Sequence, residues 1–181
     1  MLFDKITIIG IGLIGSSLAR VIMKKGLAGK LCACDKNKEY LAEARELGIV
    51  DEISEDLGKA VENADLVVYA TPVGAYGEIT RQIVPHLKKG VILTDVGSIK
   101  KYSIREIEEN LPENADVVVV PGHPVAGTEK SGPANGFDTL FEGRWYIVTP
   151  SSRSTEEAVA KVSELWAAAR MKVDKMTPEH H

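Results

Sequence analysis

The sequence predicts an α/β fold of doubly wound Rossmann type, a mostly parallel sheet with helices on both faces. Three observations predict it. The strands are apolar on both faces, amphipathic helices alternate with them, and a glycine triplet closes the first strand and opens the first helix. Ile6-Thr7-Ile8-Ile9 is a short β-branched run that ends at Gly10. Leu13, Ile14, Leu18, Val21 and Ile22 then fall at helical spacing, and Gly26 stops that helix. A second strand runs from Lys30 to Cys34 and ends at Asp35. The helix after it carries Tyr40, Leu41, Ala44 and Leu47, with Gly48 as its stop. Leu66 to Ala70 is a third strand, and a helix from Tyr76 to Leu87 leads to Val91-Ile92-Leu93-Thr94. The helix after Ser98, through Ile104, Ile107 and Leu111, leads to Val117-Val118-Val119-Val120. Right-handed crossovers between such strands wind the sheet both ways. A Gly/Pro-rich stretch, Gly122 to Gly136, follows. Strand signals return at Trp145 to Val148 and at Lys172 to Met176, flanking a helix from Thr155 to Arg170. Thr177-Pro178-Glu179 reads as a helix start, Thr as cap and Pro at the first position. The expected organisation is one dinucleotide-binding domain, residues 1–176, with 177–181 beginning a linker or helix.

Composition narrows the partners. The chain has 181 residues, 44% hydrophobic and 27% charged, which suits one soluble domain. Its 22 basic and 26 acidic residues leave a net charge of −4, so no positive field awaits a nucleic acid or an anionic membrane. Apolar runs end before the ~18 residues of a membrane span. The N-terminus enters a strand directly, without signal-peptide architecture, so a cytoplasmic location is expected. Cys32 and Cys34 share one strand face and read as two packed, reduced thiols rather than a metal pair. No metal is expected.

Gly10-Ile11-Gly12-Leu13-Ile14-Gly15 spells G-x-G-x-x-G in the strand-to-helix context that the spelling requires. Gly10 permits a tight turn, Gly12 admits a pyrophosphate to the backbone, and Gly15 lets helix and strand pack. Leu13 and Ile14 then offer free amides at a positive helix end. Asp35 stands 20 residues after Gly15, where a carboxylate accepts hydrogen bonds from the adenosine ribose and repels a 2′-phosphate. NAD is therefore the expected cofactor, although Lys36 lies next door. Two more strand ends, at Thr71-Pro72 and Asp95 to Ser98, should face the same crevice. Thr71 and Pro72 equally suit a plain helix start, and Ser98 a plain N-cap. His123, between Gly122 and Pro124 just past a buried strand, is placed to take a proton from a substrate hydroxyl near neutral pH. His86, near a helix end, reads as structural.

Together these residues resemble the prephenate dehydrogenase family, including its arogenate-using relatives. The resemblance rests on Gly10 to Ala19, on Asp95-Val-Gly-Ser98-Ile-Lys100, and on Gly122-His-Pro-Val-Ala-Gly-Thr-Glu-Lys-Ser-Gly132. Leu140 to Gly143 and Met176 to His181 also fit. The resemblance implies NAD-dependent oxidative decarboxylation of prephenate to 4-hydroxyphenylpyruvate in tyrosine biosynthesis. It implies that His123 draws the proton from the C4 hydroxyl as hydride leaves. It further implies that Ser98 orients His123, and that Thr128 and Glu129 line the substrate side. Asp95, Thr71 and Pro72 are expected on the cofactor side.

Members of that family carry a further helical domain with the dimer interface, a second histidine region and a carboxylate-binding arginine. No such sequence follows His181, so a truncated or split chain, inactive and not dimeric alone, is expected. Arogenate as substrate, a related hydroxyacid or imine reductase, and a binding module without activity are the alternatives.

Overall fold

Why these residues form these elements is visible at their ends, in a computed structural model that describes residues 1–181. Strand β1 (Phe3–Ile9) passes through the glycine loop into α1 (Leu13–Lys25). That helix ends when Gly26 takes the left-handed conformation, φ 60°, and returns its N–H to the last turn. After β2 (Ala28–Cys34), the Asn37 side chain caps α2 (Lys38–Glu46). A short edge strand, β3 (Glu52–Ser54), precedes α3 (Leu57–Val61), which Asp56 caps. Then come β4 (Leu66–Tyr69), a 3₁₀ turn, α4 (Tyr76–Ile83), β5 (Val91–Asp95), α5 (Lys100–Glu108) and β6 (Val117–Val120).

Six strands form one parallel sheet in the order β3-β2-β1-β4-β5-β6. The order reverses between β1 and β4, which opens a crevice at the carboxyl ends of those two strands. Alternation along the strands supplies both faces. Ile6, Ile8, Leu66 and Val68 join an apolar cluster with α1, α2 and a later helix. Ile9, Val67 and Tyr69 join a second cluster with α3, α4 and α5. Cys32 and Cys34 are both buried in that second cluster, and burial pushes their thiols up to about 11 and about 12. They are packing groups.

The chain past β6 departs from the expected single sheet. Gly122–Pro124 is a strand, β7, antiparallel to β8 (Trp145–Val148), with His123 opposite Ile147. After α6 (Glu156–Ala168), β9 (Lys172–Lys175) pairs parallel with β8. The result is a separate three-stranded sheet, β7-β8-β9. Pro121 cannot donate the next ladder bond, so β6 stops there. Pro124 is tolerated because β7 is an edge. The expected helix start at Thr177 is a turn, with the His180 and His181 amides on the Thr177 carbonyl. No helix is long and apolar enough to cross a membrane.

Candidate active site

All six parallel strands deliver their carboxyl ends to one edge, and the glycine loop lies there. Gly10 has φ +99°, and a Cβ on it would sit 2.5 Å from the Ala70 carbonyl. On Gly15 a Cβ would come within 2.0 Å of the Gly10 carbonyl, so helix and loop touch only because it is glycine. Gly12 differs: a Cβ there meets nothing within 4 Å. Its outer side is open space at the N-terminus of a 13-residue helix that no side chain caps. The first helical bond of α1 is from the Ser16 amide to the Gly12 carbonyl, so the amides of Leu13 and Ile14 lie in the uncapped first turn. An open cradle lined with free amides, with no side chain occupying it, fits a pyrophosphate.

Asp35, half-buried at the end of β2, faces the same loop. One carboxylate oxygen accepts the Ile11 amide at 2.9 Å, the other the Asn37 amide at 2.8 Å. Each oxygen keeps a lone pair for a further donor. Thr71 and Pro72 follow β4 directly and abut Gly10 through the Ala70–Thr71 peptide. Of the sequence-expected cofactor residues, the structure brings these to the crevice.

Asp95 is a correction. It is fully buried at the end of β5, and both its oxygens are engaged inside the protein. One accepts the Lys100 ammonium at 2.5 Å and the Gly97 amide at 3.0 Å. The other accepts the Gly122 amide at 3.2 Å. No oxygen is left facing the crevice. Lys100, equally buried, also donates to the Gly122 carbonyl at 2.6 Å. Burial pulls its ammonium below the ordinary lysine value, which Asp95 opposes. Lysine's role escaped the sequence reading, yet a signal existed. Lys100, Ser103 and Ile107 share the buried stripe of α5, and a lysine on such a stripe requires a partner.

His123 stands on β7, half-buried, rather than in a loop. Its Nδ1 lies 3.0 Å from Nε2 of His181, the rings meeting edge to face. One of these nitrogens carries the shared proton. When Nδ1 of His123 donates it, Nε2 keeps its lone pair for another proton. Burial first, then His181 and Lys100, hold His123 below its usual pKa of 6.5, against a smaller opposing effect of Asp95. The ring is thus neutral at pH 7. Ser98 is a second correction: it is exposed, does not cap α5, and makes no hydrogen bond to His123. His181 occupies Nδ1 instead. Thr128 and Glu129 are exposed on the segment after β7, where the Lys130 amide binds the Thr128 hydroxyl. That segment is anchored farther on, where the Phe137 amide donates to Ser17 of α1 at 3.1 Å. His86 lies against Gly58, away from the crevice, as a packing residue.

Known proteins share this fold. Residues 18–175 match the family described as prephenate dehydrogenase, nucleotide-binding domain. A cyclohexadienyl dehydrogenase of Zymomonas mobilis is 38% identical over 99% of this chain and 60% of its own length. A prephenate dehydrogenase of Bacillus subtilis is 31% identical over 98% of this chain and 48% of its own. The crystal structure of prephenate dehydrogenase from Aquifex aeolicus with hydroxyphenyl propionate and NAD+ superposes with a TM-score of 0.88 at 31% identity. It covers 98% of this chain and 61% of that one. Synechocystis arogenate dehydrogenase gives 0.89 at 28% identity, over 98% and 61%. The chain thus spans between about half and three-fifths of these relatives.

Proposed function

This chain belongs to the prephenate dehydrogenase family, and from that premise we propose that it holds NAD for the oxidative decarboxylation of prephenate. The observation that carries the reading is His123. An imidazole held below its usual pKa, whose Nε2 accepts a proton when its Nδ1 donates to His181, follows Gly122. Gly122 is bonded to Asp95 at the carboxyl end of β5, and the uncapped glycine loop lies at the carboxyl end of β1 in the same sheet. In this reading Gly10, Gly12, Leu13, Ile14 and Gly15 hold the pyrophosphate, with Thr71 and Pro72 beside it. Asp35 takes the ribose hydroxyls and turns away a 2′-phosphate, which favours NAD over NADP. A bound nicotinamide supplies the acceptor for the hydride that leaves C4 of the substrate ring.

His123 Nε2 receives the C4 hydroxyl proton as that hydride departs, so no protonated ketone forms. The ring carboxylate then leaves as CO2, and its bonding pair enters the ring to make the aromatic phenolate. The imidazolium returns its proton to the phenol oxygen. Carbon, hydrogen and charge balance: one hydride to NAD, one CO2 lost, no net proton on His123. Thr128 and Glu129 line the substrate side. Residues 1–181 alone bind the dinucleotide without turning substrate over.

His123→Asn in the complete enzyme tests this. Asn keeps a hydrogen bond and cannot take the proton, so kcat should fall about 10²–10⁴-fold with NAD affinity nearly unchanged. A variant within about tenfold of normal, below that range, removes His123 from the chemistry. The pH profile gives a second check. The base must be neutral and its pKa is held below 6.5, so activity should be full at pH 7 and fall only as pH drops through that lowered value. Prephenate and arogenate assayed side by side read the side-chain preference.

A further inference from the structure

Lys100 and Asp95 form the only ion pair in the chain whose side chains are both fully buried, and no part of the reaction above uses them. Such a pair is a weak way to stabilise a fold, because desolvation offsets most of the attraction. What it grips is specific. The Asp95 carboxylate accepts the N–H of Gly122, while the Lys100 ammonium donates to the C=O of the same residue. That carbonyl belongs to the peptide bond leading into His123. Gly122 is bare on its other side because any Cβ would strike the Tyr146 hydroxyl at 1.9 Å. Its peptide planes are therefore set by two charged groups and a tyrosine wall. We infer that Asp95 and Lys100 are positioning residues for His123: together they clamp Gly122 and fix the direction in which the imidazole leaves β7.

The inference rests on His123 as the base, so its test keeps the two separable. The titratable groups that face the ring are His181 from the C-terminal turn, Lys100 from α5 and Asp95 from β5. Lys100 depresses the histidine and Asp95 raises it. Removing one charge therefore moves His123 in a direction that a loss of packing does not dictate. By NMR titration of the 181-residue chain, Lys100→Met should raise the His123 pKa, and Asp95→Asn should lower it further. Hydrogen exchange at the Gly122 amide should speed up in the Asp95 variant. In the complete enzyme, the acid limb of kcat should move the same way as each titration.

A single charge left buried can unfold a protein, so Asp95→Leu/Lys100→Met is the decisive variant. Apolar side chains of similar size in place of a buried pair are commonly neutral or stabilising. A purely structural pair predicts a stable and active double variant. A positioning pair predicts a stable one whose kcat falls about 10²-fold, as misplacement by about 1 Å does, with KM for NAD unchanged. Normal kcat in the folded double variant overturns the inference, as does a His123 titration that neither single variant moves. Should His123→Asn prove active while these titrations move as stated, the clamp stands and the catalytic reading of His123 falls.

Discussion

Gly12 and Gly15 are three residues apart and answer to opposite constraints. Gly12 has φ −76° and open space where a side chain would go, so Gly12→Val should fold normally. Its isopropyl group would fill the room the pyrophosphate needs, and NADH binding by calorimetry should vanish. Gly15→Ala should do the reverse damage, because its methyl would lie 2.0 Å from the Gly10 carbonyl. Overpacking of that kind costs about 1–3 kcal/mol or more, measurable by urea unfolding. If both variants lose only stability, the loop is a packing device. Asp35→Ala should narrow the preference for NAD over NADP by removing repulsion of the 2′-phosphate. It also frees the Ile11 amide, so some loss of NAD affinity should accompany it. Equal affinities already in the unmodified chain would refute the assignment. Residues were legible in the sequence where one atom's size decides, as at these glycines. Asp95 was not. A strand-end aspartate suits a cofactor and a buried lysine equally, and only the five-residue reach to Lys100 across the β5–α5 turn separates them.

At the scale of elements, long strands and helices with strong periods were readable, and short edges were not. Val91–Asp95 and Leu66–Tyr69 are buried on both faces, which leaves the apolar runs Val91-Ile92-Leu93 and Leu66–Tyr69. β3 has three residues, none fully buried, and α3 has five, so neither repeats its period often enough to leave a pattern. β7 contains a glycine and a proline, residues that locally signal a break; it forms because β8 offers an edge beside it. The second sheet thus depends on tertiary packing, and Trp166 of α6 is its centre. This side chain is fully buried, meets Phe141 edge to face at 5.1 Å and stacks on Tyr146 at 5.0 Å. Trp166→Ala should cost about 3–5 kcal/mol in urea unfolding, through lost burial and an unfilled cavity. Tyr146 in turn walls Gly122, so the His123 ring signals should broaden or shift in that variant. A loss under about 1 kcal/mol, well short of that range, would mean that α6 is not what holds the small sheet.

Across the whole molecule, the parallel sheet divides the apolar interior into two layers and brings the glycine loop, Asp35, Thr71 and Pro72 to one edge, while His123 stands on the small sheet. The proposed dinucleotide site draws on β1, β2 and β4, all within the main sheet. The proposed proton transfer would use β7 of the small sheet, which the Asp95–Lys100 contacts to Gly122 tie to β5 and α5. Binding and chemistry should therefore be separable. The cradle, the Asp35 contact and both apolar layers are complete within residues 1–181, so this chain should bind NADH. At a hundred times its Kd the ligand adds about 2.7 kcal/mol of stability, and at this size the melting temperature should rise by about 5–10 °C. Turnover asks for more. Ser98, Thr128 and Glu129 are exposed and His123 is only half-buried, whereas hydride transfer proceeds in a site from which water is excluded. Purified residues 1–181 with NAD and prephenate should accordingly produce NADH at a negligible rate, while NADH still raises the melting temperature. Brisk NADH formation by this chain would show that its exposed edge is already a closed catalytic site. A melting temperature indifferent to NADH would place the fault earlier, in the cradle itself.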